Sequence, residues 1–254
     1  LCNTNLLVHG IDTPQIEYGS AFCKPINDFD EAEKVDVIAM NPPYGGVTTA
    51  AELTNFPAQF KTSETAVLFI AYITKRLKQN GRAGVIIPDG FLFGNDNASV
   101  EVKKVLIEQM NLHTIIRLPS SVFAPYTSIT TNILFFDNKK PTEELWVYRM
   151  DMPEDLKHFS KTKPITDEHM EVVKHWWNNR SEIAEEGNEK ARCFKKSEIA
   201  VNGYNLDLCK YPKEEEEILS IKDTIINYKK HSEAAEEKIN STLAKISEIL
   251  GIEL

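Results

Sequence analysis

Glycine-rich loops are missing from this chain of 254 residues. Its 11 glycines stand singly or as the one pair Gly45-Gly46, and no Gly-x-Gly occurs. These residues therefore hold no loop of the kind that lets a backbone close on a nucleotide cofactor. Cysteine is scarce too: Cys2, Cys23, Cys193 and Cys209 are scattered, with no Cys-x-x-Cys pair. That argues against a zinc site or a disulfide framework and fits a reducing cytoplasm. His9, His113, His158, His169, His175 and His231 show no ligand spacing, so no metal is expected. No apolar run approaches the ~20 residues that span a bilayer, and the amino terminus lacks a signal-peptide pattern. Positive charge is in deficit, with 29 basic against 38 acidic side chains and a net charge of -9. A protein that alone grips many phosphates is usually basic, so a polyanionic partner would be held largely by another subunit.

With 42% hydrophobic and 26% charged residues, the chain reads as a globular protein with room for a large core. Leu6, Leu7 and Ile11 mark a short amphipathic piece that Gly10 closes, and Ile16 to Phe22 is a candidate strand. Val35 to Met40, short, β-branched and nearly all apolar, reads as a buried strand. Residues 45–61, rich in Gly, Thr and Ala, suggest a mobile loop. Helical spacing follows over 62–79 and 100–110, with strands at 84–87, 112–118, 130–136 and 145–148. The alternation implies an α/β fold: a mostly parallel sheet with helices on its faces, and a final antiparallel hairpin joined through residues 137–141.

Three segments result. Residues 1–150 carry the sheet. Residues 151–212 are polar and read as a small helical or irregular unit anchored by Trp176 and Trp177. Residues 213–254 read as a helical tail, with apolar or small side chains from 218 to 249 at a 3–4 spacing. About five heptads of this kind suit a partner-binding helix or hairpin. Periodicity alone supports equally a helix folded onto its own domain.

The chemistry concentrates where the strand at 35–40 ends in Asn41-Pro42-Pro43-Tyr44. Open α/β sheets bind ligands at the carboxyl ends of their strands. The lone pair of an aromatic exocyclic amine, such as adenine N6, is delocalised into its ring. The amine becomes nucleophilic when acceptors draw its hydrogens out of the ring plane. The side-chain oxygen of Asn41 and the main-chain carbonyl of Pro42 could supply those acceptors as preorganised electrostatic stabilisation. Pro43 stiffens the turn and restricts the residue before it. Tyr44 offers a flat ring to support an unstacked base. No metal, covalent nucleophile or strong base is required.

Asn41-Pro42-Pro43-Tyr44 resembles the catalytic motif of amino-directed DNA methyltransferases, mostly adenine-N6 enzymes of the gamma arrangement. Further blocks narrow the resemblance to the modification subunits of type I restriction–modification systems: Gly81 to Pro88 with Gly90-Phe91-Leu92-Phe93, Ile115 to Pro119 with Val122-Phe123, Ser128 to Phe136, and Glu198-Ile199 through Gly203 to Leu206. The likeness runs in order over roughly residues 1–210. It implies a partial Rossmann-like S-adenosylmethionine-dependent methyltransferase sheet with a helical carboxyl-terminal extension. It also implies that Asn41 and Pro42 bind the amine and that Tyr44 stacks on a flipped adenine. Phe123 matches the aromatic on the base's other face; a core aromatic beside a strand is its competing reading. Phe69 falls where the family packs an aromatic against the donor's adenine, with ordinary helix packing as the alternative. Gly19-Ser20 lies where the family has Gly-Asn or Gly-Asp contacting the donor, and Ser20 departs from that pattern.

The resemblance also implies double-stranded DNA, a specificity subunit and a restriction subunit as partners. The family's glycine-rich donor-binding turn, usually well upstream of the tetrad, has no counterpart here. With Leu1 rather than Met at the start, the expectation is a carboxyl-terminal part of a longer subunit, inactive by itself. Two other readings compete: a methyltransferase for ribosomal RNA or protein glutamine, and a non-catalytic assembly module. The block after Phe123 tells against the first, and retention of the whole tetrad against the second.

Overall fold

β-Branched runs become the strands of a single sheet in the computed structural model, which describes residues 1–185, 188–212, 228, 229, 232, 233, 236, 237 and 239–243. Two units are distinguished, Leu1–Tyr211 and Pro212–Leu254. In the second, the described residues from 228 onward are helical. Most of the tail expected over 213–254 lies outside the described residues.

The first unit is built on seven strands: β1 (Val35–Met40), β2 (Leu77–Pro88), β3 (Asn111–Arg117), β4 (Thr131–Asp137), β5 (Glu144–Arg149), β6 (Ile183–Glu185) and β7 (Asn188–Lys195). Their order is β1-β2-β4-β3-β5-β7-β6. The pairs β1–β2 and β3–β5 are parallel, β4 runs antiparallel to β2 and β3, and β7 antiparallel to β5 and β6. The α/β class stands, with a mixed sheet.

The expected β4–β5 hairpin does not form. β4, an apolar run buried on both faces, sits in mid-sheet where both its edges are hydrogen-bonded. The turn after it folds back on β2: Asn138 N–H donates to the Gly81 carbonyl at 2.8 Å, and Asn80 N–H to the Asn138 carbonyl at 2.9 Å. β5 is thereby sent to the far side of β3. β1 is not a buried strand either. Among the described residues only β2 pairs with it, and at this edge Val37 is 53% exposed. Ile16 to Phe22 forms no strand, and only Phe22 of that stretch is buried.

Residues 45–61 are more ordered in character than their composition suggests. They hold the short helix α2 (Ala50–Leu53), whose Thr49–Glu52 capping box satisfies both ends of the reciprocal pair, and a 3-10 turn at Ala58–Phe60. Phe56 and Phe60 are buried and anchor the segment.

The short α1 (Cys2–Val8) precedes β1, and α4 (Gly90–Phe93) follows β2. Helices cover both faces of the sheet. On one, α3 (Thr65–Arg76) and α5 (Asn97–Glu108) present Leu68, Ile70, Ile73, Val102 and Leu106 to Val85, Ile87, Ile115 and Leu134. The Asp96 side chain accepts from Ser99 N–H and so caps α5. On the other, Val173 and Trp176 of α6 (Glu171–Asn178) pack on Ile116, Leu118 and Tyr148. The 151–211 stretch, set apart by its composition, adds β6 and β7 to the same sheet and belongs to the same unit. Trp176 anchors it, with its ring 4.7 Å from that of Tyr148.

Candidate active site

β1 delivers the Asn41-Pro42-Pro43-Tyr44 turn to the carboxyl end of the sheet. Pro42 is buried while Asn41 and Pro43 are exposed, so the first proline roots the turn and the amide faces out. The Tyr44 hydroxyl donates to Asn41 Oδ1 at 2.5 Å, which orients that amide. Thr65, the first residue of α3, donates its hydroxyl to the Pro43 carbonyl at 3.2 Å. Burial pushes the Tyr44 phenol up to about 12, so it stays a neutral donor over the physiological range.

Across from Tyr44 stands Phe123, with ring centroids 6.3 Å apart and planes at 67°. A flat base held between parallel rings needs about 7 Å, twice a carbon–carbon contact of roughly 3.5 Å. At 6.3 Å and 67° the two rings meet edge to face, so a base enters between them only if one ring swings aside. Beside Tyr44 opens a cavity of about 650 Å³ lined by Tyr44, Val67, Phe91, Asp96 and Ile129, among others. That volume lies within the range of small-molecule sites, roughly 300–1,000 Å³.

The loop bearing Phe123 is tied down from several directions. Ala124 N–H donates to the Ser121 carbonyl and Tyr126 N–H to the Phe123 carbonyl, both at 2.9 Å. Phe159 N–H donates to Ser121 Oγ, also at 2.9 Å. At the root of the loop, the buried Arg117 guanidinium donates to Asp89 and Asp207 at 2.8 Å each. Asn132 donates to the same Asp89 oxygen at 3.1 Å. The ends of β2, β3 and β4 are thus joined at the root of this loop. Sequence reasoning assigned no role to Thr65, Asp89 or Arg117. For Arg117 a signal existed: a cation inside Ile115-Ile116-Arg117-Leu118 must be paired if it is buried.

Ser20 and Phe69 come together through a third residue. Phe22 N–H donates to Ser20 Oγ at 3.2 Å, and its ring lies 4.6 Å from that of Phe69. The Ser20 hydroxyl in turn donates to Glu52 of α2. Phe69 is one helical turn beyond Thr65 on α3, so the two share a helix face. Through Thr65 that face touches the Asn41–Tyr44 turn. Among the described residues no group of three or more His, Cys, Asp or Glu could hold a metal ion, and no helix is long and apolar enough to cross a membrane. The arrangement can hold a planar ring and accept hydrogen bonds from an amine at its edge.

Comparisons with known proteins give the chain its relatives. The family model described as "N-6 DNA Methylase" matches residues 1–219. The Escherichia coli type I restriction enzyme EcoEI methylase subunit is 44% identical over 211 residues, covering 82% of this chain and 42% of that protein. The EcoKI methylase subunit of Escherichia coli strain K12 is 32% identical over 181 residues, 66% of this chain and 32% of the relative. Among solved structures, one describing complex assembly and conformational transition of a type I R-M system superposes with a TM-score of 0.72 at 32% identity. That match covers 97% of this chain and 51% of the other. The chain spans less than half the length of the curated relatives it matches.

Proposed function

Because this chain belongs to the N-6 DNA methylase family, we propose that it carries the catalytic turn of an adenine-N6 DNA methyltransferase acting within a type I restriction–modification complex. The observation that carries the reading is Tyr44, which bonds Asn41, meets Phe123 and lines a cavity of about 650 Å³.

The target adenine has to leave the duplex, since N6 inside the stack cannot reach an enclosed site. Tyr44 and Phe123 take the base between them. Asn41 Oδ1 has two lone pairs, so it can keep the Tyr44 hydroxyl and accept one N6–H as well. The Pro42 carbonyl accepts the second N6–H. With both hydrogens held, charge localises on nitrogen. Methyl transfer would break the donor's methyl–sulfur bond as the N–C bond forms, leave a neutral thioether, and release one amine proton to water. The neutral Tyr44 hydroxyl holds the Asn41 amide in register throughout.

S-adenosylmethionine is the methyl donor this reading requires. The half-buried Phe69 ring fits the flat face of its adenine, and the exposed Ser20–Glu52 pair fits its hydroxyl-bearing sugar. When bound, it supplies an electrophilic methyl group on sulfur. Double-stranded DNA is the substrate. Site choice falls to a specificity subunit docked partly on residues 213–254, with a restriction subunit as a further partner. The net charge of -9 supports such a division of labour, because an acidic chain gains little from phosphate contacts of its own.

The test is labelled methyl transfer by the complete subunit with its specificity partner. Label is expected on adenine, and Asn41→Ala should lower turnover on the order of 100- to 1,000-fold, as for loss of one preorganised polar group. Label on cytosine, or on ribosomal RNA or release-factor protein in place of DNA, would refute the proposal.

A further inference from the structure

The connection from β3 to β4 does more than bring Phe123 to Tyr44. At its tip stands Tyr126, whose side chain is 92% exposed and makes no hydrogen bond or ring contact with the described residues. A large ring left in water adds nothing to the fold. Yet its backbone is held firmly: Tyr126 N–H closes a tight turn on the Phe123 carbonyl at 2.9 Å, and Thr127 N–H reaches the same oxygen at 3.3 Å. A turn closed this way keeps the Cα atoms of its first and last residues within about 7 Å. Tyr126 therefore sits on the same rigid turn as Phe123, one turn's span along from the ring that faces Tyr44. Ile129, further along the same connection, lines the cavity and is itself 45% exposed. Val47, three residues after Tyr44, is 95% exposed. The connection that carries Phe123 thus holds two large apolar groups, Tyr126 and Ile129, that the protein does not cover.

Extruding a base leaves a gap in the stack, with two apolar base faces turned to water. A phenol ring has the thickness of a base, and its hydroxyl can meet the edge of the widowed partner. We propose that Tyr126 enters the gap vacated by the target adenine, stacks between the bases that flanked it, and holds the duplex open while the adenine lies between Tyr44 and Phe123. This assignment rests on the methyltransferase reading above. It adds a residue that acts on the DNA left behind rather than on the extruded base.

The experiment measures kcat/KM of the complete subunit with its specificity partner on two duplexes. One is fully paired; in the other the target adenine faces an abasic site, so no pair has to be broken. Loss of one base-stacking ring should lower kcat/KM of Tyr126→Ala on paired DNA by about 10- to 100-fold. On the abasic-opposed duplex that loss should shrink several-fold, and Tyr126→Phe should stay close to the parent on both. Because the side chain is exposed, the melting temperature should not move. An unchanged rate on paired DNA would overturn the inference, as would equal loss on both duplexes, which would mark Tyr126 as a contact to a protein partner. Failure of the unsubstituted complex to methylate either duplex would refute the proposed function itself, and this inference with it.

Discussion

Tyr44 is expected to act through two separable groups, and the structure sets the size of each. Its hydroxyl makes one hydrogen bond, to Asn41 Oδ1. Tyr44→Phe removes that bond and leaves the ring opposite Phe123. A single hydrogen bond of this kind is worth about 0.5–1.5 kcal/mol. At about 1.36 kcal/mol per tenfold, turnover should fall about 2- to 13-fold. Tyr44→Ala removes the ring as well, and base–aromatic stacking adds about 1–3 kcal/mol. The combined loss in kcat/KM is then about 10- to 2,000-fold. Because burial holds the phenol neutral up to about 12, the Phe variant should show the same deficit at every pH from neutrality to mild alkali. Labelled methyl transfer to a DNA duplex by the complete subunit measures both variants. A Phe variant as damaged as the Ala variant would refute the reasoning, since the hydroxyl and not the ring would carry the effect. So would a Phe deficit that disappears as pH rises.

Thr65→Val keeps shape and loses the bond to the Pro43 carbonyl, so kcat should drop about 2- to 13-fold with little change in DNA affinity, a split that steady-state kinetics resolves. Arg117→Met leaves Asp89 and Asp207 without their shared cation and should cost about 3 kcal/mol in urea unfolding, at the low end for a broken buried pair because both carboxylates keep some exposure. Burial pushes the Asp207 carboxyl up, but Lys210 and Arg117 outweigh it and hold it below its ordinary value of 3.8. That stabilisation is present above 3.8 and is lost as pH falls through the lowered value. The acid-induced part of unfolding should therefore weaken in the Met variant, which a urea series between pH 5 and about 2 would show. Lys103 is buried, donates to the Leu92 and Gly94 carbonyls, and is lowered by burial from 10.5 to about 8. The unfolded chain then holds more protons between those values, so stability should rise by roughly 3 kcal/mol from pH 8 to 10.5, an increment that Lys103→Met should erase.

Local chemistry made the tetrad legible. A β-branched run ending at Asn41-Pro42-Pro43 specifies a strand and a stiff turn without reference to anything distant, and β1 ends there. The periodicity of α3 and α5 was legible for the same reason, since apolar spacing over three turns needs no partner to be recognised. Pairing was not. β4 and β5 are close in sequence and flank a turn-prone segment, yet β4 pairs with β2 and β3, because burial on both faces favoured the middle of the sheet. Composition likewise set 151–212 apart, although β7 joins the sheet by pairing with β5 across some 40 residues of intervening chain.

For the site, the sequence by itself determined which groups are present: an amide, a rigid carbonyl, and aromatic rings at 44, 69 and 123. Only the tertiary structure decided which of them meet. Tyr44 faces Phe123 at 6.3 Å because β1 and β3 run in the same direction, so the turn after β1 and the β3–β4 connection lie at the same end of the sheet. Arg117 joins Asp89 to Asp207 across 118 positions of chain for the same kind of reason. Short-range preferences act over a few bonds and can be read one segment at a time. The distance between remote segments follows from how the whole core is buried, and no single stretch of residues contains it.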